Sequence, residues 1–248
     1  MQADDAVVFL VAILSGATAS IAGFGIGSLL TPLLAIRFGT ETAVAAVAIP
    51  HAFATAFRYV RLRRAVAWDV VRSFGLLSAV GGLAGALLYT RLTSRTLTVI
   101  LGLLLIATAI SALIGPTGRM SLPKGLVGAM GVASGFFGGI AGNQGGLRAA
   151  AMMSFALPAA AFVATSTAIG LMVDAARMPI YVWRAGEALM PLAKPIAIAT
   201  VGVLIGTVAG EKLLLGLSPV QFRRVVSILI GLLGVWLLAR EISFYGGT

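Results

Sequence analysis

Polar residues are sparse along this chain and gather between long apolar runs, several of which approach or exceed the roughly 20 residues a helix needs to cross about 30 Å of hydrocarbon. The runs recur over the whole length and leave no soluble domain between them, a pattern that a single signal peptide cannot explain. Candidate spans fall at about residues 6–36, 41–57, 72–90, 96–114, 124–141 with a broken continuation to about 157, 159–178, 188–210 and 219–239. The pattern predicts an all-α polytopic membrane protein with these runs as eight crossings. The first run is unusually long and is interrupted by Gly23, Gly25, Gly27 and Pro32.

The loop after the second run reads Arg58-Tyr59-Val60-Arg61-Leu62-Arg63-Arg64, the densest cationic segment, and the positive-inside bias places it in the cytoplasm. Counting crossings in both directions then puts both termini in the cytoplasm. That count requires that neither glycine-broken segment be a re-entrant hairpin, because a hairpin returns the chain to the side it came from.

Composition agrees with a lipid environment. Of the 248 residues, 59% are hydrophobic and 10% charged, against roughly 25% charged in a soluble domain, and the mean hydropathy is +1.04. The net charge of +10 does not point to nucleic acid, because the basic residues are scattered through short loops with few aromatics among them. Trp68, Trp183, Tyr59 and Tyr181 flank predicted loops, as interfacial anchors do. The chain has no cysteine, which excludes disulfides and thiolate chemistry, and its single histidine excludes a multi-histidine metal centre. No Walker motif, no Gly-x-Ser-x-Gly elbow and no His/Glu cluster occurs, so no enzyme activity and no cofactor is expected.

An internal repeat changes this picture. Ser15-Gly16-x4-Ile21-Ala22-Gly23-x3-Gly27 realigns without gaps on Ser134-Gly135-x4-Ile140-Ala141-Gly142-x3-Gly146 at a shift of 119 residues, and the same shift pairs Arg58 with Arg177. Residues 1–119 and 120–248 therefore read as two fused copies of about four spans each, forming one transport domain. An even number of crossings per copy would give parallel repeats, an odd number an inverted pair. Glycine costs about 1 kcal/mol relative to alanine inside a helix, so clusters at matching positions have a purpose. At Gly81, Gly82 and Gly85, and at Gly202, Gly206 and Gly210, close helix packing explains them. In SIAGFGIGS and GGIAGNQGG the spacing is too irregular for one helix face, and the reading favoured there is unwound backbone. At membrane depth such backbone must line a cavity or be buried in protein, and it leaves half-helix N-termini whose free N–H groups attract anions.

The duplicated glycine-rich motif, the two-copy organisation, the length and the near-absence of extramembrane domains resemble the TauE/SafE sulfite exporter family. The resemblance implies transport of sulfite, sulfonates and related organosulfur anions across the bacterial inner membrane. The first motif keeps Pro32, which family members often carry after the glycine run; the second reads Leu147-Arg148-Ala149-Ala150-Ala151 and lacks the proline, placing Arg148 where the first copy has Leu29.

Arg148 lies about ten residues inside an apolar stretch, where a charge costs at least about 2.5 kcal/mol and must find a partner or water. Either it caps carbonyls or snorkels, or its planar fork of donors holds a sulfonate or carboxylate. Asn143 and Gln144 offer amide donors beside it, Gly25, Gly27 and Gly145 offer backbone at the two breaks, and Ser28 and Thr31 are weaker contacts in the first. Asp174 and Arg177, three residues apart on one helix face, form an ion pair or, deeper in the bundle, a proton carrier and a second anion contact. Arg58 reads as a cytoplasmic anchor. His51 either bonds a neighbouring helix or takes part in proton coupling. Thr165, Ser166 and Thr167 either bond their own helix or face a cavity. The resulting expectation is a secondary transporter of a small organosulfur anion working by alternating access, with an anion channel as its rival. Its partners are the small anion and the lipid bilayer, not nucleic acid.

Overall fold

The computed structural model describes residues 3–23, 25–114, 123–143, 145–213 and 219–245, and among these the chain is helical with no strand. The helices are α1 (Ala3–Ala22), α2 (Ile26–Phe38), α3 (Thr40–Leu62), the short α4 (Trp68–Val70) running through a π turn into α5 (Leu76–Tyr89), α6 (Ser94–Ile114), α7 (Lys124–Ala141), α8 (Gly145–Met152), α9 (Ala159–Leu189), α10 (Ala193–Leu213) and α11 (Pro219–Tyr245). Among the described residues six stretches are long and apolar enough to cross a membrane: Asp4–Ile21, Thr40–Ala65, Trp68–Tyr89, Ser94–Ile114, Ala159–Gly210, which takes in α9 and most of α10, and Arg224–Ser243. The protein is a multi-pass membrane protein. Apolar side chains such as Leu10, Val80, Leu103, Val201 and Leu232 stand exposed on its outside, where lipid replaces water as the solvent.

The first glycine-broken run does not cross as one unit. Asp4 in the first turn of α1 lies 2.6 Å from Arg37 in the last turn of α2, so the chain turns back across residues 23–25 and returns to its starting end. Gly25 sits at φ 137°, backbone that a side chain would strain. The second break behaves alike. Gly142, at φ 69°, closes α7 with its N–H on the Gly138 carbonyl at 3.0 Å, a left-handed cap. From there α8 runs back until Met152 packs with Val127, near the start of α7, and with Val70 and Val71. The expectation that 6–36 is one of eight crossings is thus corrected: hydrophobic length alone permits a span, but a left-handed glycine turn reverses it.

Helix direction follows from polar contacts at the two ends of the bundle. Thr40 donates its N–H to Ser94 Oγ at 3.0 Å, placing the starts of α3 and α6 together, and the 23 residues of α3 carry the chain about 34 Å to the basic loop. Arg184 of α9 reaches Glu41 at 3.3 Å, and Lys194 of α10 reaches Asp5 at 2.7 Å, so α9 arrives at the Thr40 end and α10 leaves from it. Leu237, Arg240 and Glu241 of α11 border a cavity with Gly39 and Thr40. The first turn of α1 and the last turns of α11 therefore lie at the end opposite Arg61–Arg64. The expectation that both termini share the basic loop's side is corrected, because the opening hairpin shifts every later crossing by one.

The chief helix pairs are α1 with α10, α5 with α7, α6 with α11 and α3 with α9. The first two run parallel in near-contact of their backbones: Gly16 lies against the Val203 carbonyl and Gly206 against that of Ile13, while Gly135 lies against Ser78 and Gly139 against Gly82. A methyl group at any of these would overlap main chain, which is the close packing that the glycine stripes predict. Trp68 and Trp183 are exposed at opposite ends as interfacial anchors, whereas Tyr181 is fully buried and donates its hydroxyl to the Gly139 carbonyl at 2.6 Å, so it braces α7 and is no anchor.

Candidate functional site

The two helix breaks meet. Gly27, in the first turn of α2, lies directly against the Gly142 carbonyl, and Ser28 Oγ donates to Asn143 Oδ1 at 3.2 Å, tying one break to the other across 115 residues of sequence. Because each hairpin reverses there, the N-termini of α2 and α8 both border the same cavity, through Gly25 to Ser28 on one side and Asn143 and Gly145 on the other. Ala19 and Gly23 at the end of α1 and Gly142 at the end of α7 also border it, and further wall comes from α3, which presents His51, Thr55 and Arg58, and from α9, which presents Ser166, Thr167 and Gly170. Among the described residues, none that lines this cavity is acidic and two are arginine. Its free space of about 20 Å³ is that of a single water molecule.

Arg148 stands one turn into α8 and is 5% exposed. Its Nε donates to Ser166 Oγ at 2.9 Å, while Nη1 is buried without a hydrogen-bond partner. Gly170 makes room for it: a Cβ there would sit 3.3 Å from Nη1. Asn143, 4% exposed, has the same character, since Oδ1 accepts from Ser28 and Nδ2 has no partner. Buried donors without a partner are costly, and these two stand beside the N-termini of α2 and α8, whose first N–H groups are also donors. Arg58, 6% exposed, closes the cavity towards the basic end with Nη2 on Thr167 Oγ1 at 3.1 Å.

Arg177 does not line this cavity. Its Nε and Nη2 hold Asp174 Oδ1 at 3.1 and 2.7 Å and its Nη1 donates to the Gly138 carbonyl, also buried, at 2.6 Å. A cation at the carbonyl end of α7 suits the helix dipole, and it adds a second donor to the Gly138 carbonyl that already accepts the Gly142 N–H. The other Asp174 oxygen, Oδ2, lies 2.7 Å from His51 Nδ1, so His51 links the Asp174–Arg177 pair to the cavity it lines. Thr31 is buried beside Gly142 and Gly27 but does not reach the cavity wall, and Thr165 binds the Ala67 N–H at 2.9 Å. Gln144 lies outside the described residues.

The structure thus brings Gly25, Gly27, Ser28, His51, Asn143, Gly145 and Arg148 together and sets Arg177 and Thr31 apart. It adds Arg58, Thr55 and Gly170. Arg58 could have been found in the sequence: under the 119-residue shift Arg177 has Asp174 three residues before it, whereas Arg58 has Thr55, so only the second copy builds its own ion pair.

The chain matches the family described as "Sulfite exporter TauE/SafE" over residues 8–237. Neither a curated protein nor a solved structure matches it.

Proposed function

The chain belongs to the TauE/SafE sulfite exporter family, and from that premise we propose that it is a secondary transporter carrying sulfite or a small sulfonate across the bacterial inner membrane by alternating access. The observation that carries the reading is the pair of buried donors without partners, Arg148 Nη1 and Asn143 Nδ2, in a cavity with no acidic lining residue among those described. A sulfonate or sulfite presents several oxygens on one centre, which a guanidinium fork, an amide and the free N–H groups of α2 and α8 meet together. The free space of about 20 Å³ is smaller than such an anion, so binding requires the hairpins to part, and a standing pore is disfavoured.

Two inverted copies, residues 1–119 and 120–248, supply the motion. Under the repeat α1 matches α7, α2 matches α8, α3 matches α9, α5 matches α10 and α6 matches α11. The helix pairing supports this, since α1 on α10 becomes α7 on α5, while α3 on α9 and α6 on α11 map onto themselves. Each copy then has a hairpin entering from one end followed by three crossings, an odd number, which inverts the second copy. Alternating access is an exchange of roles between the two hairpins around the anion. The basic end, with Arg61, Arg63, Arg64 and Arg72, faces the cytoplasm, while Asp4, Asp5, Glu41, Glu187 and Glu241 accumulate at the other.

His51 couples the cycle to protons. Its imidazole lines the cavity and leans on Asp174, so a proton taken up there adds positive charge beside the anion, and each ligand strengthens the other. Purified protein in liposomes tests the whole reading. Saturable sulfite counterflow that an inward proton gradient accelerates is the expected result, with His51→Gln retaining counterflow but losing the response to the gradient. Flux that rises linearly with concentration would identify a channel, and counterflow that Arg148→Gln leaves intact would remove the anion from this cavity.

A further inference from the structure

The cavity wall does not ask for donors and acceptors evenly. Arg148 Nη1 and Asn143 Nδ2 are donors without partners, whereas His51 presents the opposite demand. Its Nδ1 lies 2.7 Å from Asp174 Oδ2, and Asp174, 1% exposed, does not line the cavity. Arg177 holds the other Asp174 oxygen through Nε and Nη2, which keeps Asp174 a carboxylate and so an acceptor only. Nδ1 therefore carries the N–H, and Thr55 Oγ1, 3.4 Å from it, competes for a share of that same hydrogen. The coupling proposed above requires an imidazole that is neutral until a proton arrives. A neutral imidazole has one N–H, so Nε2 keeps its lone pair. With Nδ1 turned to α9, Nε2 is the ring nitrogen left to the cavity, and it makes no hydrogen bond among the described residues. The other charged groups of the wall are Arg58 of α3 and Arg148 of α8, and the described lining residues of α1, α2 and α7 are not titratable.

From this arrangement we infer that His51 Nε2 is a hydrogen-bond acceptor for the ligand and selects an oxyanion that carries its own proton, such as hydrogen sulfite, over a fully ionised sulfonate. The inference rests on the cavity being the anion site, and it decides between the two substrates proposed there. A sulfonate has acceptor oxygens only, so it satisfies Arg148 and Asn143 and leaves an oxygen facing the Nε2 lone pair. An anion that keeps one O–H answers all three groups. A site built to hydrogen-bond a hydroxyl rejects the analogue that lacks it. Transfer of that proton breaks the ligand O–H bond and forms Nε2–H, leaving a dianion beside an imidazolium with the total charge unchanged. The proton that drives the cycle thus enters with the anion.

Equilibrium binding to the full chain in detergent tests this with three probes: sulfite, selenite and methanesulfonate. The pH is one at which sulfite and selenite are both partly protonated, and their Kd values are expressed on the hydrogen-bearing form. Both should bind about 5- to 150-fold more tightly than methanesulfonate, the effect of a buried acceptor left without a donor. His51→Asn places an amide NH2 near the position of Nδ1, keeps a donor for Asp174 and removes the acceptor from the cavity, so the three Kd values should come within about threefold of one another. His51→Gln, whose amide turns either its oxygen or its NH2 to the ligand, should also lose the preference, and it serves if His51→Asn does not fold. Methanesulfonate binding as tightly as sulfite to the unaltered protein would overturn the inference. So would a preference that both variants retain, because the methyl group alone would then explain it. If Arg148→Gln abolishes that tight methanesulfonate binding, the proposed function stands and only the selection by His51 is rejected; binding of all three anions that Arg148→Gln leaves intact would reject both.

Discussion

Two buried arginines in one bundle should respond oppositely to removal of their charge, and that contrast separates a ligand site from a structural brace. Arg177 is 1% exposed and satisfies both Asp174 and the Gly138 carbonyl. Arg177→Met leaves the buried Asp174 carboxylate with one partner fewer, a change that costs about 3–5 kcal/mol. At about 2–4 °C per kcal/mol for a chain of this size, the melting temperature in detergent should fall by roughly 6–20 °C. Arg148 makes the Ser166 hydrogen bond through Nε and buries Nη1 without a partner, so Arg148→Met gives up about 1.5–3 kcal/mol of charge-assisted hydrogen bonding, which is offset by removing a buried charge that forms no ion pair. Its melting temperature should hold within about 4 °C or rise. Anion affinity should behave in the opposite way, because a charge-assisted hydrogen bond is worth about 1.5–3 kcal/mol, which corresponds to a roughly 10- to 150-fold weaker Kd for sulfite. Thermal unfolding with and without graded sulfite measures both quantities in one experiment. If Arg148→Met melts as low as Arg177→Met, or if the two variants lose affinity equally, Arg148 is a second brace and the reasoning fails.

Gly27→Ala would press a methyl group into the Gly142 carbonyl and wedge the two breaks apart, an overpacking of about 1–3 kcal/mol, so counterflow should fall by roughly 5- to 150-fold in protein that still purifies as a monodisperse species. Gly206→Val meets the Ile13 carbonyl in the same way but far from the cavity, so it should lower the melting temperature by a few degrees without changing the Kd of protein that remains folded. Asp4→Asn breaks an ion pair whose partners are each 54% exposed, worth at most about 1 kcal/mol, and the melting temperature should stay within about 4 °C.

The hydrophobic pattern was sufficient to read helices, a membrane environment and the two irregular glycine clusters, because each depends on residues close in sequence. Arg148, Asn143 and His51 also stood out, since isolated polar groups in apolar runs need an explanation wherever they lie. Direction was not legible. Whether residues 6–36 cross or turn back depends on the sign of φ at Gly23 and Gly25, and hydropathy is blind to it. The depth of Arg58 was not legible for a related reason. Position at the end of a span made Arg58 look like an interfacial anchor, yet it is buried and bonds Thr167 of α9; for Arg177 the ion pair with Asp174, one of the two readings its spacing allowed, is the one present. Tyr181 was misread likewise, as its neighbours in sequence are at the interface and its hydroxyl partner is in α7.

The pairing of α1 with α10 has a bearing on how the protein is made. Ser20 meets the Thr207 carbonyl, a partner 187 residues later in the chain. At about 5–20 residues per second, α1 leaves the ribosome roughly 10–40 s before the helix that covers its glycine face. During that interval the opening hairpin has lipid, translocon or chaperone for company, with Gly16 and its carbonyl neighbours uncovered. Insertion factors that shield small-residue faces should therefore govern the yield of this protein more than its final stability does.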